Sequence, residues 1–124
     1  VAGITRGAKL PGGACGFLGV CGAAMGVGTA FSIILQSTPL QAKARRLSQQ
    51  ATHCCLGKII EHEAARCCQR EAWLCLREAA RLSQEMLGRR LEAGPAPVCK
   101  QFQQNPTCIK QACPLFPRPL PQPT

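Results

Sequence analysis

The chain has 124 residues, of which 46% are hydrophobic but only 4% aromatic and none is Tyr, so one domain must build its core from Ala, Leu, Ile, Val and Cys. Ala- and Leu-rich segments favour helix, and few stretches show the β-branched and aromatic mixture typical of strands. The formal net charge of +9 indicates acidic partners, although metal-bound thiolates would reduce it. Basic residues are not interleaved with aromatic ones, so nucleic acid is not expected as the partner.

The N-terminal third is predicted to contain one central helix. Residues 1–13 read as a loose basic lead-in that ends at Pro11-Gly12-Gly13, and residues 14–35 are uncharged and rich in glycine. The uncharged run is long enough to cross a bilayer, but its many glycines favour a buried helix over a membrane span. Glycines such as Gly22 and Gly26 would let a second backbone or a cofactor approach this helix closely.

Two further helices are predicted. Thr38 can act as N-cap, Pro39 suits the first helical position and Gln41 can complete a capping box, so a helix should run from there to about residue 60. A second helix should cover roughly 66–87 and stop at Gly88. We expect a break near 61–65, with one continuous helix over 39–87 as the alternative.

The chain changes character after Gly88. Gly94-Pro95-Ala96-Pro97 interrupts regular structure, residues 98–116 are polar, and residues 118–124 form a proline-rich tail. The predicted fold class is therefore mainly α: a small helical bundle around a Gly-rich central helix, with a Cys-rich irregular C-terminal segment. We predict a single domain over residues 1–117, and the start at Val1 suggests a piece of a larger parent chain.

The ten cysteines divide by their surroundings. Three of them, Cys99, Cys108 and Cys113, lie on irregular backbone, from which thiolates can converge on a metal, and a Cys followed by Pro occurs in iron–sulfur ligand runs. The spacing does not match the paired short knuckles of zinc sites. The vicinal pair Cys67-Cys68 weighs against a disulfide framework, because adjacent cysteines rarely bridge each other. That pair can supply the fourth ligand. We therefore predict an iron–sulfur cluster, with zinc as the alternative.

Other residues have weaker signals. The helical positions of Cys54, Cys55 and Cys75 predict packing in the core, while the roles of Cys15 and Cys21 stay open. The candidate cofactor-binding residues are Gly22, Gly26, Arg66 and Arg70. No catalytic triad, phosphate loop or isolated carboxylate pair appears, so no catalytic residue is assigned.

Several motifs occur in the order of a known pattern: Pro11-Gly12-Gly13-Ala14-Cys15-Gly16, Cys21-Gly22-Ala23-Ala24-Met25-Gly26, Thr38-Pro39-Leu40, Arg66-Cys67-Cys68, Cys99, Cys108 and Cys113-Pro114. Over about residues 11–116 the chain resembles the prokaryotic family called domain of unknown function 5714, which is common in methanogens and other anaerobes. The resemblance implies that Cys54, Cys55 and Cys75 lie outside the family's cysteine pattern. Where the family tends to have Gly-Gly-Pro before Arg-Cys-Cys, this chain has Glu63-Ala64-Ala65.

The resemblance also implies a cytoplasmic protein, often with an upstream zinc-ribbon-like segment, and an association of some members with methyltransferase-type proteins. No signal peptide is recognisable, and a membrane is not expected as partner. Three functions follow as hypotheses: a cysteine-ligated metal module with a redox or accessory role in anaerobic metabolism, a thiol redox or sulfur-transfer protein using Cys67 and Cys68, or a structural accessory domain of a methyltransferase-like partner. All three lead us to expect a protein partner or a larger parent chain.

Overall fold

Helices make up the regular structure of residues 1–119, the part of the chain that the computed structural model describes. No strand forms within these residues. The five α-helices are α1 (Ala2–Gly7), α2 (Ala14–Phe17), α3 (Gly22–Ile34), α4 (Ala42–Ile59) and α5 (Cys68–Leu82). A π-helical turn, Ser83–Leu87, continues α5, and the C-terminal segment contains two short 3-10 helices, Phe102–Gln104 and Lys110–Ala112. The mainly α fold class is thus confirmed.

The Gly-rich helix α3 is central, as predicted, because it packs against α1, α4 and α5. The closest approach is at Gly28. A Cβ atom at this position would overlap the Thr52 side chain and lie 3.2 Å from the Ser48 carbonyl oxygen of α4. Gly26, by contrast, has open space around it. The glycine that allows tight helix packing is therefore Gly28, whereas the surface of α3 at Gly26 is not covered by another helix.

The core lies between α3, α4 and α5. Its buried members include Phe31 of α3, Ala51 and Cys55 of α4, and Cys75 and Leu82 of α5. Cys54 is half-buried and packs against this cluster. The prediction that Cys54, Cys55 and Cys75 act as packing residues is confirmed, since small apolar side chains suit helices that approach closely.

The N-terminal region differs from its prediction in two ways. Residues 2–7 of the expected loose lead-in form α1, which packs on α3 although none of its residues is buried. The expected single helix over 14–35 is interrupted between Phe17 and Gly22, where Gly19 has a left-handed φ of +70°. The left-handed backbone at this glycine lies between the four-residue α2 and α3.

The predicted break between the second and third long helices is confirmed. Helix α4 ends at Ile59 and α5 begins at Cys68, so residues 39–87 do not form one helix. The start of α4 was predicted too early: the Thr38 amide donates to Gln41 Oε1 at 2.9 Å, as in a capping box, but Gln41 is the N-cap and the helix begins at Ala42. Gly88, with a φ of +64°, ends the α5 extension as expected.

Within residues 1–119, no helix is both long and apolar enough to cross a bilayer. The uncharged N-terminal run is instead split between α2 and the 13-residue α3, whose inner face is buried in the core. Of the predicted proline-rich tail at 118–124, residues 120–124 lie outside the described part.

Candidate metal centre and adjoining cavity

All five predicted metal ligands line one cavity of about 620 Å³. We call it the five-cysteine cavity. It lies between the first turn of α5 and the irregular C-terminal segment. The cysteines that line it are Cys67, Cys68, Cys99, Cys108 and Cys113. The return of the C-terminal segment onto α5 thus brings cysteines that are 31 to 46 positions apart in the sequence to one space.

The fold of the C-terminal segment is stabilised by contacts within the segment. The Cys99 amide donates to the Leu115 carbonyl oxygen at 2.8 Å, which joins the two ends of the segment. The rings of Phe102 and Phe116 pack edge to face with their centroids 4.9 Å apart, and Leu115 is buried. These contacts position three cysteines without regular secondary structure.

Each of the three C-terminal sulfur atoms accepts a backbone hydrogen bond. The amide two residues farther along donates to it in every case: Gln101 to Cys99, Lys110 to Cys108 and Leu115 to Cys113, all with N···Sγ distances of 3.4 Å. Such donors stabilise negative charge on sulfur. Hydrogen bonds to the sulfurs are also one of the factors that set the reduction potential of an iron–sulfur cluster.

The other two cysteines belong to the start of α5. Cys67 is the N-cap, with an extended backbone, and Cys68 is the first helical residue. The next side chain, Gln69, accepts a hydrogen bond from the Cys99 thiol at 3.7 Å. This contact joins α5 to the C-terminal segment in the wall of the cavity.

A buried ion pair lies beside the cavity. Arg70 lines it and is only 4% exposed, and its guanidinium lies 4.0 Å from a carboxylate oxygen of Glu71 and 3.4 Å from the Ala65 carbonyl oxygen. A permanent cation therefore lies in the wall that the five cysteines share, and it is partnered there by the Glu71 carboxylate.

A second cavity of about 530 Å³ adjoins the first and shares Arg66 and Cys68 with it. We call it the α3 cavity, since Gly22 and Gly26 of α3 form part of its wall. The four predicted cofactor-binding residues are therefore divided. Gly22, Gly26 and Arg66 line the α3 cavity, whereas Arg70 faces the five-cysteine cavity together with Arg66.

The two remaining cysteines of the resemblance pattern line the α3 cavity. Cys15 is exposed, and Cys21 is buried at the N-terminal end of α3. The Cys21 thiol donates to Glu71 Oε2 at 3.6 Å. Burial raises the pKa of the Cys21 thiol, and the neighbouring Glu71 carboxylate acts in the same direction, so this sulfur is held in its protonated form.

All ten cysteines are free thiols. Within residues 1–119, no three His, Cys, Asp or Glu side chains stand close enough together to hold a metal ion as they are placed. The structure therefore shows the predicted ligands around one space, but it does not show a preformed coordination sphere.

Sequence reasoning missed several residues of these cavities. Glu71 is one of them: the sequence contains no isolated carboxylate pair that would single it out, yet it is buried between Arg70 and Cys21. Its position three residues after Cys68 and four before Cys75 places it on the buried stripe of α5, and a charge on such a stripe is a usable signal. Arg6 and Lys9 of the N-terminal segment gave no comparable signal.

Comparison with known proteins identifies the family. The model of the DUF5714 family, described as a family of unknown function, matches residues 1–116, so the chain belongs to this family. No curated protein and no solved structure matches the chain.

Proposed function

We propose that this member of the DUF5714 family holds a thiolate-bound metal centre in the five-cysteine cavity, with an iron–sulfur cluster ahead of zinc. The observation that carries the proposal is that Cys67, Cys68, Cys99, Cys108 and Cys113 surround one space. Iron–sulfur clusters are held by up to four thiolates, so this set contains enough ligands.

The hydrogen bonding of the C-terminal cysteines fits such a centre. Three sulfur atoms already accept hydrogen bonds from backbone amides. These hydrogen bonds persist when the sulfur loses its proton. If the Gln69 side-chain amide rotates by about 180°, its NH₂ group replaces its oxygen and donates a hydrogen bond to the Cys99 sulfur. Arg70 adds a cation for the negative charge of the assembled centre. Binding requires the thiols to rotate toward a common point, since they do not converge at present.

The ligand pattern favours a cluster over zinc. Structural zinc sites mostly use two short Cys knuckles, which this chain lacks. The Cys113-Pro114 pair is typical of iron–sulfur ligand runs. A bound cluster would supply one-electron transfer, and the protein would hold it, shield it and set its potential.

We propose that the domain serves as a redox or accessory module of a larger parent chain or of a protein partner in anaerobic metabolism. A cytoplasmic location agrees with ten unpaired thiols, because cytosolic reductants keep cysteines reduced. The family resemblance supports a methyltransferase-like partner for a purely structural role, which is the third candidate.

A thiol redox or sulfur-transfer role is the second candidate, and one observation favours it. Cys68 is exposed at the N-terminus of α5 and lines both cavities, and thiols at helix N-termini tend to be reactive. Because Cys67 and Cys68 also belong to the proposed ligand set, reactivity of the metal-free protein tests the two roles against each other.

The direct experiment is purification without oxygen, followed by measurement of iron, acid-labile sulfide and zinc and by visible and electron paramagnetic resonance spectra. We expect iron and sulfide in near-equal amounts. Cys108→Ala should lower metal content strongly, whereas Cys54→Ala, which removes a thiol outside both cavities, should leave it unchanged.

Several outcomes contradict the proposal. Protein without iron or zinc, even after reconstitution with iron and sulfide, would exclude the metal centre. Fast alkylation confined to Cys67 or Cys68 in that protein would support the thiol role, and uniformly slow alkylation would leave the structural role. Zinc alone in stoichiometric amount would reverse the order of the two metals.

A further inference from the structure

The α3 cavity has the size of a small-molecule site. Its volume of about 530 Å³ falls in the range of ligand pockets in proteins, about 300–1,000 Å³. Its wall is assembled from three separate parts of the chain: the α1–α2 segment, the first turns of α3, and Arg66 with the start of α5. A space enclosed by distant segments is a consequence of the fold and not of one loop.

The cavity wall is positively charged. Arg6, Lys9 and Arg66 line it, and none of the three forms an ion pair with another described residue. Among the described residues, the only carboxylate in the wall is that of Glu71. This carboxylate lies 4.0 Å from the Arg70 guanidinium and accepts a hydrogen bond from the Cys21 thiol, so both of its oxygens have buried partners.

The backbone adds to this potential. Gly22 and Ala23, the first two residues of the 13-residue α3, belong to the cavity wall. The N-terminus of a helix carries partial positive charge from its aligned peptide dipoles. Two independent features, three side-chain cations and a helix end, thus favour a negatively charged group in the same space.

The rest of the wall is apolar. Leu10, Pro11, Met25 and Ala72 contribute to it. Ala23, Gly26 and Ala72 also line a neighbouring apolar groove between α3 and α5. Inorganic phosphate would leave these surfaces without a partner, whereas a larger molecule would cover them. At Gly26 no atom would meet an added Cβ within 4 Å, so this part of the wall has open space in front of it.

We propose that the α3 cavity binds a small organic anion, a phosphate or carboxylate joined to an apolar body, next to the five-cysteine cavity. The anionic group lies among Arg6, Lys9 and Arg66, and the apolar body lies against Met25 and Ala72. Cys68 and Arg66 belong to both cavities, so the ligand borders the centre of the proposed function. This last step rests on that function, while the binding itself does not.

The test is calorimetric titration at low ionic strength with phenyl phosphate, benzoate, inorganic phosphate and phenol. We expect saturable binding of one of the two aromatic anions, and at least tenfold weaker binding of phenol and of inorganic phosphate. A preference between phenyl phosphate and benzoate identifies the anionic group. Arg66→Gln should weaken the binding by about tenfold or more, because a hydrogen bond to a charged group is lost.

The matched control is Arg46→Gln, which removes the same charge from an exposed position of α4 outside the cavity wall. It should leave the affinity within about twofold, since exposed charges act weakly at a distance. Equal losses in both variants would show nonspecific attraction to a basic protein and overturn the inference. Absence of saturable binding by both aromatic anions would overturn it as well.

Metal content separates this inference from the proposed function. Lys9→Gln, which changes a cation that lines the α3 cavity but not the five-cysteine cavity, should weaken anion binding and retain the metal of the unaltered protein. If the protein binds metal but neither aromatic anion, the anion site is contradicted and the proposed metal centre is not. If the protein binds an anion but no metal, the anion site stands and its link to a metal centre is contradicted.

Discussion

Cys21 and Glu71 are 50 positions apart in the sequence and meet in the interior, where the Cys21 thiol donates a hydrogen bond to Glu71 Oε2 at 3.6 Å. The contact joins the start of α3 to the first turn of α5. Because Glu71 also lies 4.0 Å from Arg70, it connects the wall of the α3 cavity with the wall of the five-cysteine cavity. A sulfur, a carboxylate and a guanidinium thus form one buried polar chain between the two spaces.

The first prediction concerns this sulfur. Burial raises the pKa of Cys21 above its ordinary value of 9.0. The unfolded chain therefore loses this proton at a lower pH than the folded protein does. Stability from the protonated thiol is complete below about pH 9 and is lost as the pH rises through the folded pKa. Urea unfolding between pH 8 and 10.5 should show a smaller decline for Cys21→Ser, whose hydroxyl keeps the donor and does not titrate there.

Alkylation provides a second readout of the same property. In the metal-free protein at pH 7.5, iodoacetamide should modify the exposed Cys15 well before the buried Cys21. Peptide mass analysis after timed quenching measures both rates in one sample. Equal rates at the two cysteines would contradict the buried, protonated state of Cys21.

The second prediction tests the close contact between α3 and α4. Gly28→Ala should lower the free energy of unfolding by about 1–3 kcal/mol, since its methyl group would overlap the Thr52 side chain and press on the Ser48 carbonyl. Gly57→Ala in α4 is the matched control because no atom lies within 4 Å of its added Cβ. That change should stabilise the protein by up to about 1 kcal/mol through helix propensity. Chemical unfolding measures both, and a neutral Gly28→Ala would show that the two helices can separate without cost.

The third prediction concerns a buried carboxylate of α5. Glu78 is 6% exposed, and Arg81 donates to its Oε1 through Nε at 2.9 Å. Arg81→Met keeps the length of the side chain but leaves Glu78 without its cation, so the free energy of unfolding should fall by about 1–3 kcal/mol. The exposed partner Glu85 also pairs with Arg81, and Glu85→Gln should cost less than about 1 kcal/mol. A larger effect of Glu85→Gln than of Arg81→Met would contradict this ranking.

The fourth prediction separates packing cysteines from proposed ligands. Cys75 is 1% exposed in the core, so Cys75→Ala should lower stability by about 1–2 kcal/mol through the cavity it leaves and should retain the metal. Cys113→Ala should reduce metal content. Thermal unfolding and elemental analysis of the two variants give the comparison. Loss of metal in Cys75→Ala without unfolding would place this core residue in the ligand set, against the proposed division.

Much of the local structure was predictable because it depends on neighbours in the chain. The break between α4 and α5, the stop at Gly88 and the packing roles of Cys55 and Cys75 follow from helix-stop signals, helical periodicity and side-chain size. The grouping of Cys67, Cys68, Cys99, Cys108 and Cys113 was predicted from thiol chemistry and backbone irregularity, and these residues do line one cavity. Their binding of a metal stays a prediction.

The errors in the prediction also have local causes. Helix α1 was missed because a short exposed segment has little apolar periodicity, and its contact with α3 comes from folding. The uncharged run over 14–35 carried no sign of the interruption beyond its glycines, and Gly19 is the one that takes a left-handed conformation there. Thr38 has the sequence of an N-cap, but the turn at 38–41 places Gln41 in that position.

Composition, periodicity and side-chain size thus establish a mainly helical domain with packing cysteines in α4 and α5, since these properties act through residues close in the chain. The contact between Cys21 and Glu71, the approach of α4 at Gly28 and the common wall formed by Arg66 and Cys68 depend on how the helices pack. Packing brings together residues whose separation along the chain carries no information about their distance in space. The two adjoining cavities therefore follow from the fold and not from any single motif.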